Sequence, residues 1–417
     1  MQSQPKRTNR TIVVDFQDEA TYHHLRQDGR AFIEFVIAFI ISIGFQLKHK
    51  CNCPGGFRLT RHSHYMRVRL NGLVIWRIQC THCKAVFTVL PHFVVRYRKM
   101  EPKTAKQALL ATHGGLSLEY CAVLWNVSPM AIYRLMCGIG RTCLVTLLTL
   151  CKLPLPIYFH ADEKHSHCLS EKVYLPAIVC GRVIWHLGYT TDKSAEAFED
   201  SYAEFQQSAL EVEPSYDVKG ILTDGFESTI KSMHTLFPEA TIGNCLLHAA
   251  KRIPSKLRSV SKTLRVTFSH ELYQIFEKCQ EAKTNCVRSL GQKLRRFCEK
   301  VTKTTGVANG ENLHAWICKK KAGWYALFRD ANMPITSTLL DQAHNAMDRK
   351  LFMMKGFHHE EGSQTMFLNT LAILYNLIPY QRRAKNAGKC GIEVEGGKLP
   401  TNDWFLNLQI LTSGGFQ

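Results

Sequence analysis

Two aspartates in the sequence each follow a short apolar stretch of the kind that forms a buried strand. Asp162 follows Ile157, Tyr158 and Phe159, and Asp224 follows residues 218–223. Carboxylates that neighbouring strands deliver to one edge of a sheet can hold a divalent cation. We therefore predict that Asp162 and Asp224 lie at strand ends, close together, as metal ligands. The alternative is that each caps a turn or a helix, as most aspartates do.

A third acid, Asp341, lies in the first turn of a predicted amphipathic helix. From that position its carboxylate can lean toward a cation held by Asp162 and Asp224. Asp348, two turns further along the same helix, is better explained as a solvated or Arg-paired acid.

The elements that must position these acids follow from the periodicity of the chain between them. Strands are predicted at residues 173–180 and 183–189, followed by a helix from about Ser194 and then by the strand that leads to Asp224. Residues 249–335 are rich in helix formers and cations, which indicates a basic helical insertion before the third acid.

A second metal-binding pattern comes earlier in the chain. Two cysteine pairs flank a predicted β-hairpin: Cys51, Cys53, Cys80 and Cys83. Cysteine pairs around a hairpin are typical of a zinc ribbon, in which four thiolates close a tetrahedral structural site. One residue separates the first pair, where two are usual. Unliganded cysteines therefore remain an alternative, as do substitute ligands among His62, His64 and His82.

Basic residues on this hairpin suit contact with DNA phosphates: Arg67, Arg69 and Arg77. A solvated strand face would carry the same residues.

A helix-turn-helix is predicted shortly after the hairpin. A short helix over residues 118–125 is followed by a turn, by Ser128 as N-cap and by Pro129 at the first position of the next helix. That second helix, residues 130–137, carries Tyr133 and Arg134 where side chains that read a DNA groove would lie. The alternative is a plain three-helix packing unit.

Composition agrees with a nucleic-acid partner. The 417 residues carry a formal net charge of +19, which favours a polyanion, and 45% of them are hydrophobic, enough for ordinary cores. Sixteen cysteines without a secretory signal pattern predict a reducing, cytoplasmic compartment. The apolar stretch 31–45 is too short for a bilayer span, so we predict a packed helix and no membrane partner.

Cys245 and His248 form a CxxH motif that spacing alone would allow as half of a zinc site, but no nearby second pair completes it. With this motif the order of features resembles a DDE/D transposase of bacterial insertion sequences, over residues 51 to about 380. The following stretches carry the resemblance: Cys80-Thr-His-Cys83 with Phe87 and Leu90-Pro91, Val127-Ser128, Asp162-Glu163-Lys164, Thr223-Asp224-Gly225, Cys245-Leu-Leu-His248, and Leu340-Asp341 to Asn345 followed by Lys355-Gly356-Phe357.

The resemblance implies an α/β fold: a ribonuclease H-like mixed sheet with a helical insertion, preceded by a zinc ribbon and an all-α helix-turn-helix. Asp162, Asp224 and Asp341 would be catalytic ligands of Mg²⁺ or Mn²⁺, with Cys245 and His248 as a core signature. His160 and His165 would flank the site. The third acid is usually Glu in this family, so Glu360 or Glu361 remains an alternative to Asp341.

The implied activity is metal-dependent cleavage of transposon ends and transfer of the strands to target DNA. The expected partner is double-stranded DNA, both ends and target, with a homo-oligomer assembled on it in association with the nucleoid. End binding is expected to reside in residues 1 to about 145. Two alternatives stay open: a catalytically inactive, transposase-derived DNA-binding protein, and a nuclease that cuts without joining.

Seven segments are predicted in chain order: an N-terminal arm and helix (1–50), a zinc ribbon (51–100), a helix-turn-helix (101–150), the first part of the catalytic core (151–248), a basic helical insertion (249–335), the last part of the core (336–385) and an irregular tail (386–417).

Overall fold

The protein, seen in a computed structural model, is described over residues 10–48, 58–68, 72–96, 99–281, 286–354, 357 and 363–416. Two compact units make up the chain. The first combines Met1–Pro154 with Ala346–Gln417, and the second is the continuous stretch Leu155–Asn345. The predicted α/β class is confirmed, since each unit contains both helices and a sheet.

Nine strands are described: β1 (Thr11–Val14), β2 (Leu59–Arg67), β3 (Leu73–Cys80), β4 (Val86–Pro91), β5 (Tyr158–Cys168), β6 (Glu171–Cys180), β7 (Val183–Leu187), β8 (Gly220–Thr223) and β9 (Thr241–Asn244). Sixteen helices are described in the same residues: α1 (Glu19–Leu25), α2 (Gly29–Ile43), α3 (Pro102–His113), α4 (Leu118–Trp125), α5 (Pro129–Ile139), α6 (Leu144–Leu150), α7 (Ala195–Val212), α8 (Glu227–Leu236), α9 (Leu246–Lys256), α10 (Lys262–Glu281), α11 (Cys286–Thr305), α12 (Val307–Leu327), α13 (Thr338–Met354), α14 (Gln364–Leu377), α15 (Gly391–Val394) and α16 (Trp404–Leu411).

The sheet of the first unit has the order β1-β4-β3-β2. The predicted hairpin is present as the antiparallel pair β2/β3, but β4 and the parallel strand β1 extend it. β1 lies in the segment predicted to be an N-terminal arm, yet its residues Ile12, Val13 and Val14 are buried. A sheet with its own buried strand is larger than the small ribbon that the cysteine spacing suggested.

The predicted packed helix is α2, which is slightly shifted toward the N-terminus. Asp28 caps it by accepting hydrogen bonds from the Arg30 and Ala31 amides, and Phe32, Val36 and Ile40 form its buried stripe. Within the described part of the chain, no single helix combines the length and apolarity of a bilayer span; α4 and α5 would do so only if taken together across their sharp bend.

The axes of α4 and α5 meet at 113° across a three-residue turn, which is the geometry of a helix-turn-helix. Asn126 ends α4 in the left-handed region, with φ of 49°. The Ser128 hydroxyl accepts a hydrogen bond from the Ala131 amide at 3.1 Å, and Pro129 begins α5. The predicted cap and first helical residue are therefore confirmed.

The C-terminal part of the chain packs against these helices. Thr370 of α14 donates a hydrogen bond to the Met136 carbonyl of α5, and the Asn369 amide donates to the Gly140 carbonyl at 3.2 Å. Of the segment 336–385 predicted to complete the catalytic core, only the part up to Asn345 belongs to the second unit. Sequence periodicity identified α14 as a helix, but an apolar stripe does not say which partner it packs on.

The prediction of an irregular tail over residues 386–417 was wrong. α15 and α16 lie there, and Phe405, Leu408 and Ile410 of α16 are buried. The Asp403 carboxylate caps α16 and forms a 2.6 Å ion pair with Lys106 of α3. The many glycines of this segment obscured its two short helices.

The second unit is built on a five-stranded sheet of order β7-β6-β5-β8-β9. β5, β6 and β7 form an antiparallel meander, whereas β5, β8 and β9 are parallel. α7 connects β7 to β8, and α8 connects β8 to β9. The strands and the helix predicted between the first two acids are all confirmed.

The predicted helical insertion consists of α9 to α12, and its buried side chains, which include Phe268, Phe276, Leu294 and Trp324, form one hydrophobic cluster with Leu222 of β8. Trp324 is fully buried and makes an edge contact with Phe276. α12 returns to the sheet so closely that a Cβ on Gly323 would clash with Asn244 of β9. The insertion is therefore packed onto the sheet edge at β9.

Replacing Gly140 with Ala should destabilise the first unit, because the new Cβ would overlap the Met366 carbonyl of α14. Gly114 is a matched control: it ends α3 with nearly the same φ, −69° against −70°, and a Cβ there meets carbonyls of its own helix at 3.3 Å or more. We expect a loss of about 1–3 kcal/mol for Gly140→Ala and less than about 1 kcal/mol for Gly114→Ala. Equal melting temperatures for the two variants would contradict this packing of α5 on α14.

Candidate metal centre

Asp162 lies within β5 and not at its end, so the predicted strand-end position was wrong for this residue. β5 continues to Cys168 because it forms a long hairpin with β6. On its other side, however, pairing with β8 stops at Ala161 and Thr223. Asp162 thus stands where its neighbour strand ends, and Asp224 follows that strand directly. The two acids are brought to one edge, as predicted.

Three carboxylates meet at this edge: Asp162, Glu163 and Asp224 offer oxygens that all lie within 4.8 Å of one another. Sequence reasoning did not select Glu163, because successive residues of a regular strand point to opposite faces. Its adjacency to Asp162 was the available signal. Oxygen-only donors of this kind suit Mg²⁺ or Mn²⁺.

Both β5 acids are largely removed from water, each 8% exposed. Burial, followed by the nearby charges of Asp224 and Glu163, raises the pKa of Asp162 well above its usual range. Burial and the charge of Asp224 likewise raise the pKa of Glu163 to about 8, although a hydrogen bond from the Thr229 hydroxyl at 3.0 Å acts in the opposite direction. The cluster therefore favours bound protons or a bound cation.

Neighbouring elements hold the cluster in place. Tyr202 of α7 is buried and donates a hydrogen bond to the Asp162 carbonyl at 3.0 Å. The Asp224 carboxylate accepts a 2.7 Å hydrogen bond from the Phe226 amide in the turn before α8. The acids thus sit on hydrogen-bonded backbone, which is what a preorganised ligand set requires.

Asp341 lies in the first turn of α13, as predicted, but outside the group of three within the described residues. Its carboxylate is 3.4 Å from the Lys251 ammonium and 3.9 Å from His248 Nε2. Its negative charge nonetheless contributes to the raised pKa of Asp162. Asp341 is therefore near the centre while its oxygens are engaged by two basic groups. The alternative third acids, Glu360 and Glu361, lie outside the described residues.

The CxxH motif joins the second acid's strand to the third acid's helix. Cys245 Sγ accepts hydrogen bonds from the Ser337 amide and hydroxyl, both at 3.3 Å, and Ser337 Oγ lies 3.0 Å from His248 Nδ1. Burial alone would raise the pKa of Cys245, but its bonds with His248 and Ser337 lower it. The hydrogen bond to Cys245 raises the pKa of His248. In this structure the motif fixes the segment that precedes Asp341.

Three histidines lie on the elements that carry the acids: His160 and His165 on β5 and His344 on α13. Burial lowers the pKa of His160 to about 4 and that of His344 to about 3. His160 Nδ1 and His344 Nε2 are buried without a hydrogen-bond partner among the described residues. His165 Nε2 is 3.7 Å from Glu163. Sequence reasoning chose His160 and His165 and missed His344, which lies three residues after Asp341 and therefore on the same side of α13.

Cations lie against the acids. Arg252 of α9 forms a 2.7 Å ion pair with Asp224, and Lys320 of α12 donates to the Gly225 carbonyl at 2.9 Å. Burial, then the charges of Arg252 and Lys319, lowers the pKa of Lys320. The insertion thus brings positive charge to the same turn that carries Asp224.

The predicted zinc and DNA ligands are only partly described. Cys51, Cys53 and Arg69 lie outside the described residues, Cys80 is buried and Cys83 is half-buried at the turn after β3. The Arg67 guanidinium donates to the Val95 carbonyl at 3.4 Å, and Arg77 lies over the Tyr65 ring. Their roles in binding zinc and DNA stay predictions.

The two residues predicted to read DNA have different surroundings. Arg134 is exposed on α5. Tyr133 is half-buried, stacks on Phe367 and is hydrogen-bonded to Ser363. Tyr133 therefore contributes to packing between α5 and α14.

Glu163→Gln should raise the melting temperature of the metal-free protein more at pH 8.5 than at pH 5. The pKa of Glu163 is higher in the folded protein, about 8, than the ordinary 4.5, so its destabilising effect grows as the pH rises between these values. We expect a gain of several degrees at pH 8.5 in EDTA and little at pH 5. The control Glu227→Gln, at an exposed position on α8, should not raise the melting temperature at pH 8.5. A gain that is equal at both pH values would contradict a protonated Glu163.

Neither the protein-family models nor the curated proteins compared with the sequence match it. A function for the chain therefore rests on its own residues and their geometry.

Proposed function

We propose that the protein is a transposase of the DDE/D type, which binds transposon terminal inverted repeats and catalyses metal-dependent strand cleavage and strand transfer. The observation that carries this proposal is the buried group Asp162, Glu163 and Asp224, with Asp341 beside it and cations around it. Enzymes of phosphoryl transfer use carboxylates that bind metal ions, next to Lys and Arg side chains that bind phosphate.

The second unit supports the fold that this activity would use. Its mixed sheet, with an antiparallel meander and two parallel strands, is compatible with a ribonuclease H-like core. Its helical insertion α9–α12 lies between the second and third acids, where the resemblance requires one. The acids also occur in the expected order along the chain.

Asp162, Asp224 and Glu163 would hold the divalent ions, with Asp341 joining them once it releases Lys251. When bound, two such cations activate water or a 3′-hydroxyl and stabilise the leaving oxygen of an in-line displacement. The protein's own groups keep the ligands in place: Thr229 holds the Glu163 carboxylate and Tyr202 holds the Asp162 backbone. No covalent protein nucleophile is needed.

The surroundings of the acids suit DNA. Lys251, Arg252 and Lys320 add positive charge beside the centre, and the whole chain carries a net +19. The helix-turn-helix of α4 and α5 would read the ends through its exposed Arg134, with β2 and β3 touching phosphates. Zinc held by Cys51, Cys53, Cys80 and Cys83 and a homo-oligomer on DNA belong to the same proposal.

A catalytically inactive DNA-binding protein derived from a transposase is the second candidate. Two features of Asp341 favour it: its side chain is shorter than that of the Glu usual in such transposases, and its oxygens face Lys251 and His248 instead of the other acids. A nuclease that cuts without joining would use the same centre.

Asp162→Ala, Asp224→Ala and Asp341→Ala should each reduce cleavage of a transposon-end oligonucleotide by at least about 100-fold, in Mg²⁺ or Mn²⁺, with end binding nearly unchanged. Asp341→Glu should retain or raise activity because the longer side chain reaches further toward the other acids. Asp348→Ala, on the same helix, is the control and should change little. A wild type that binds ends but never cuts would favour the inactive DNA-binding protein, and an active Asp341→Ala variant would assign the third ligand to another residue.

Arg134→Gln should weaken binding of inverted-repeat DNA and reduce the salt dependence of the binding constant by about one unit of slope. The full chain is needed for this measurement, because α14 and α16 complete the unit that contains α5. Tyr133→Phe is the matched control: it removes the bond to Ser363 and should lower the melting temperature slightly while DNA affinity stays the same. Equal DNA affinities for wild type and Arg134→Gln would remove α5 from the interface.

A further inference from the structure

We propose that Arg252 is a phosphate-positioning residue that occupies Asp224 in the metal-free protein and moves to a DNA phosphate when divalent cations bind. This inference deepens the proposed function and rests on it. One side chain of α9 would then have two successive partners, first the Asp224 carboxylate and then a phosphate of the DNA backbone.

Both carboxylate oxygens of Asp224 accept hydrogen bonds. One of its oxygens accepts the Phe226 amide at 2.7 Å, and the other accepts Arg252 Nη2 at 2.7 Å. Arg252 therefore already holds one of the two oxygens that Asp224 could offer to a cation between itself and Asp162. A cation of charge +2 at that position would also repel the guanidinium, because both lie against the same carboxylate.

The Arg252 side chain can move while its backbone is held in place. Its side chain is 38% exposed, so it can turn from Asp224 toward a ligand in solution. Its backbone is fixed, because Ile253 next to it is fully buried and Cys245 at the start of α9 is bonded to Ser337. A released guanidinium would stay beside the metal centre.

A second cation, Lys320, lies near Arg252. Burial, followed by the nearby positive charge of Arg252, lowers the pKa of Lys320, whose ammonium group donates to the Gly225 carbonyl. Once a metal ion binds Asp224, this carboxylate no longer neutralises Arg252 and Lys320. Two neighbouring cations without a counter-charge can bind an anion. The planar guanidinium fork matches the two free oxygens of a phosphodiester.

An ion pair that only stabilised the fold would behave differently. Its guanidinium would not contact DNA, so its loss would lower the melting temperature and leave the salt dependence of DNA binding unchanged. Metal affinity in the absence of DNA therefore tests the competition for Asp224, and the salt dependence of DNA binding tests the phosphate partner.

The experiment titrates DNA-free, full-length protein with Mn²⁺ and follows free Mn²⁺ by electron paramagnetic resonance. We expect Arg252→Gln to bind Mn²⁺ roughly threefold or more tighter than wild type, since the competing cation is gone. Lys256→Gln is the matched control: it removes the same charge from the same helix, one turn further on, where Lys256 lies near the Trp316 ring. It should leave the Mn²⁺ affinity within about twofold of wild type. Arg252→Lys, which keeps the charge, should stay near wild type.

A second titration, with transposon-end DNA at saturating Mn²⁺ over a range of salt concentrations, tests the phosphate partner. We plot the logarithm of the DNA-binding constant against the logarithm of the salt concentration. The magnitude of the slope should fall by about one for Arg252→Gln and should stay the same for Arg252→Lys. An unchanged or weaker Mn²⁺ affinity in Arg252→Gln, or an unchanged salt slope, would overturn the inference. If both titrations come out as expected but the wild type never cuts DNA, the exchange of partners stands and the transposase proposal fails. Absence of Mn²⁺ binding in wild type and Arg252→Gln alike would overturn both.

Discussion

Three carboxylates buried against one another are the constraint on which the second unit depends. Asp162, Glu163 and Asp224 lie within 4.8 Å at an edge from which water is largely excluded, where like charges repel strongly. The raised pKa values of Asp162 and Glu163 favour their protonated forms, which relieves this repulsion. A cation that replaced those protons would make the same geometry favourable. Metal binding at this site would therefore be coupled to proton release.

α9 connects the parts of the site that come from distant points of the sequence. Its first turn, through Cys245 and His248, holds Ser337 just before the helix of Asp341. Its second turn carries Arg252 against Asp224 and Lys251 against Asp341. The insertion that follows is therefore not a separate appendage, since it must return its last helix beside the helix with which it began. The close contact of Gly323 with Asn244 shows how tightly that return is fixed.

The sequence was sufficient to predict the elements of the second unit and two of its three clustered acids, because buried strands and capped helices leave strong local signals. It failed where the answer depends on tertiary pairing. Asp162 lies within a strand because β6 continues the hairpin beyond it, which no local pattern of β5 encodes. Glu163 joins the cluster against the strict alternation of a regular strand. The neighbours of Asp341 are likewise set by the α9 contacts, which lie about 90 residues earlier in the chain.

The division of the chain has a consequence for how it folds. The second unit is one continuous stretch, so all of its contacts are available once Asn345 has been made. The first unit is interrupted by that stretch, and α14 and α16 supply buried side chains to it from the C-terminal side. Its helix-turn-helix therefore lacks part of its core until the last 70 or so residues are present. A truncation that removes them exposes apolar surface on α5 and leaves the Met136 and Gly140 carbonyls without their α14 donors. The unit proposed to read DNA is thus completed only after the unit proposed to cut it.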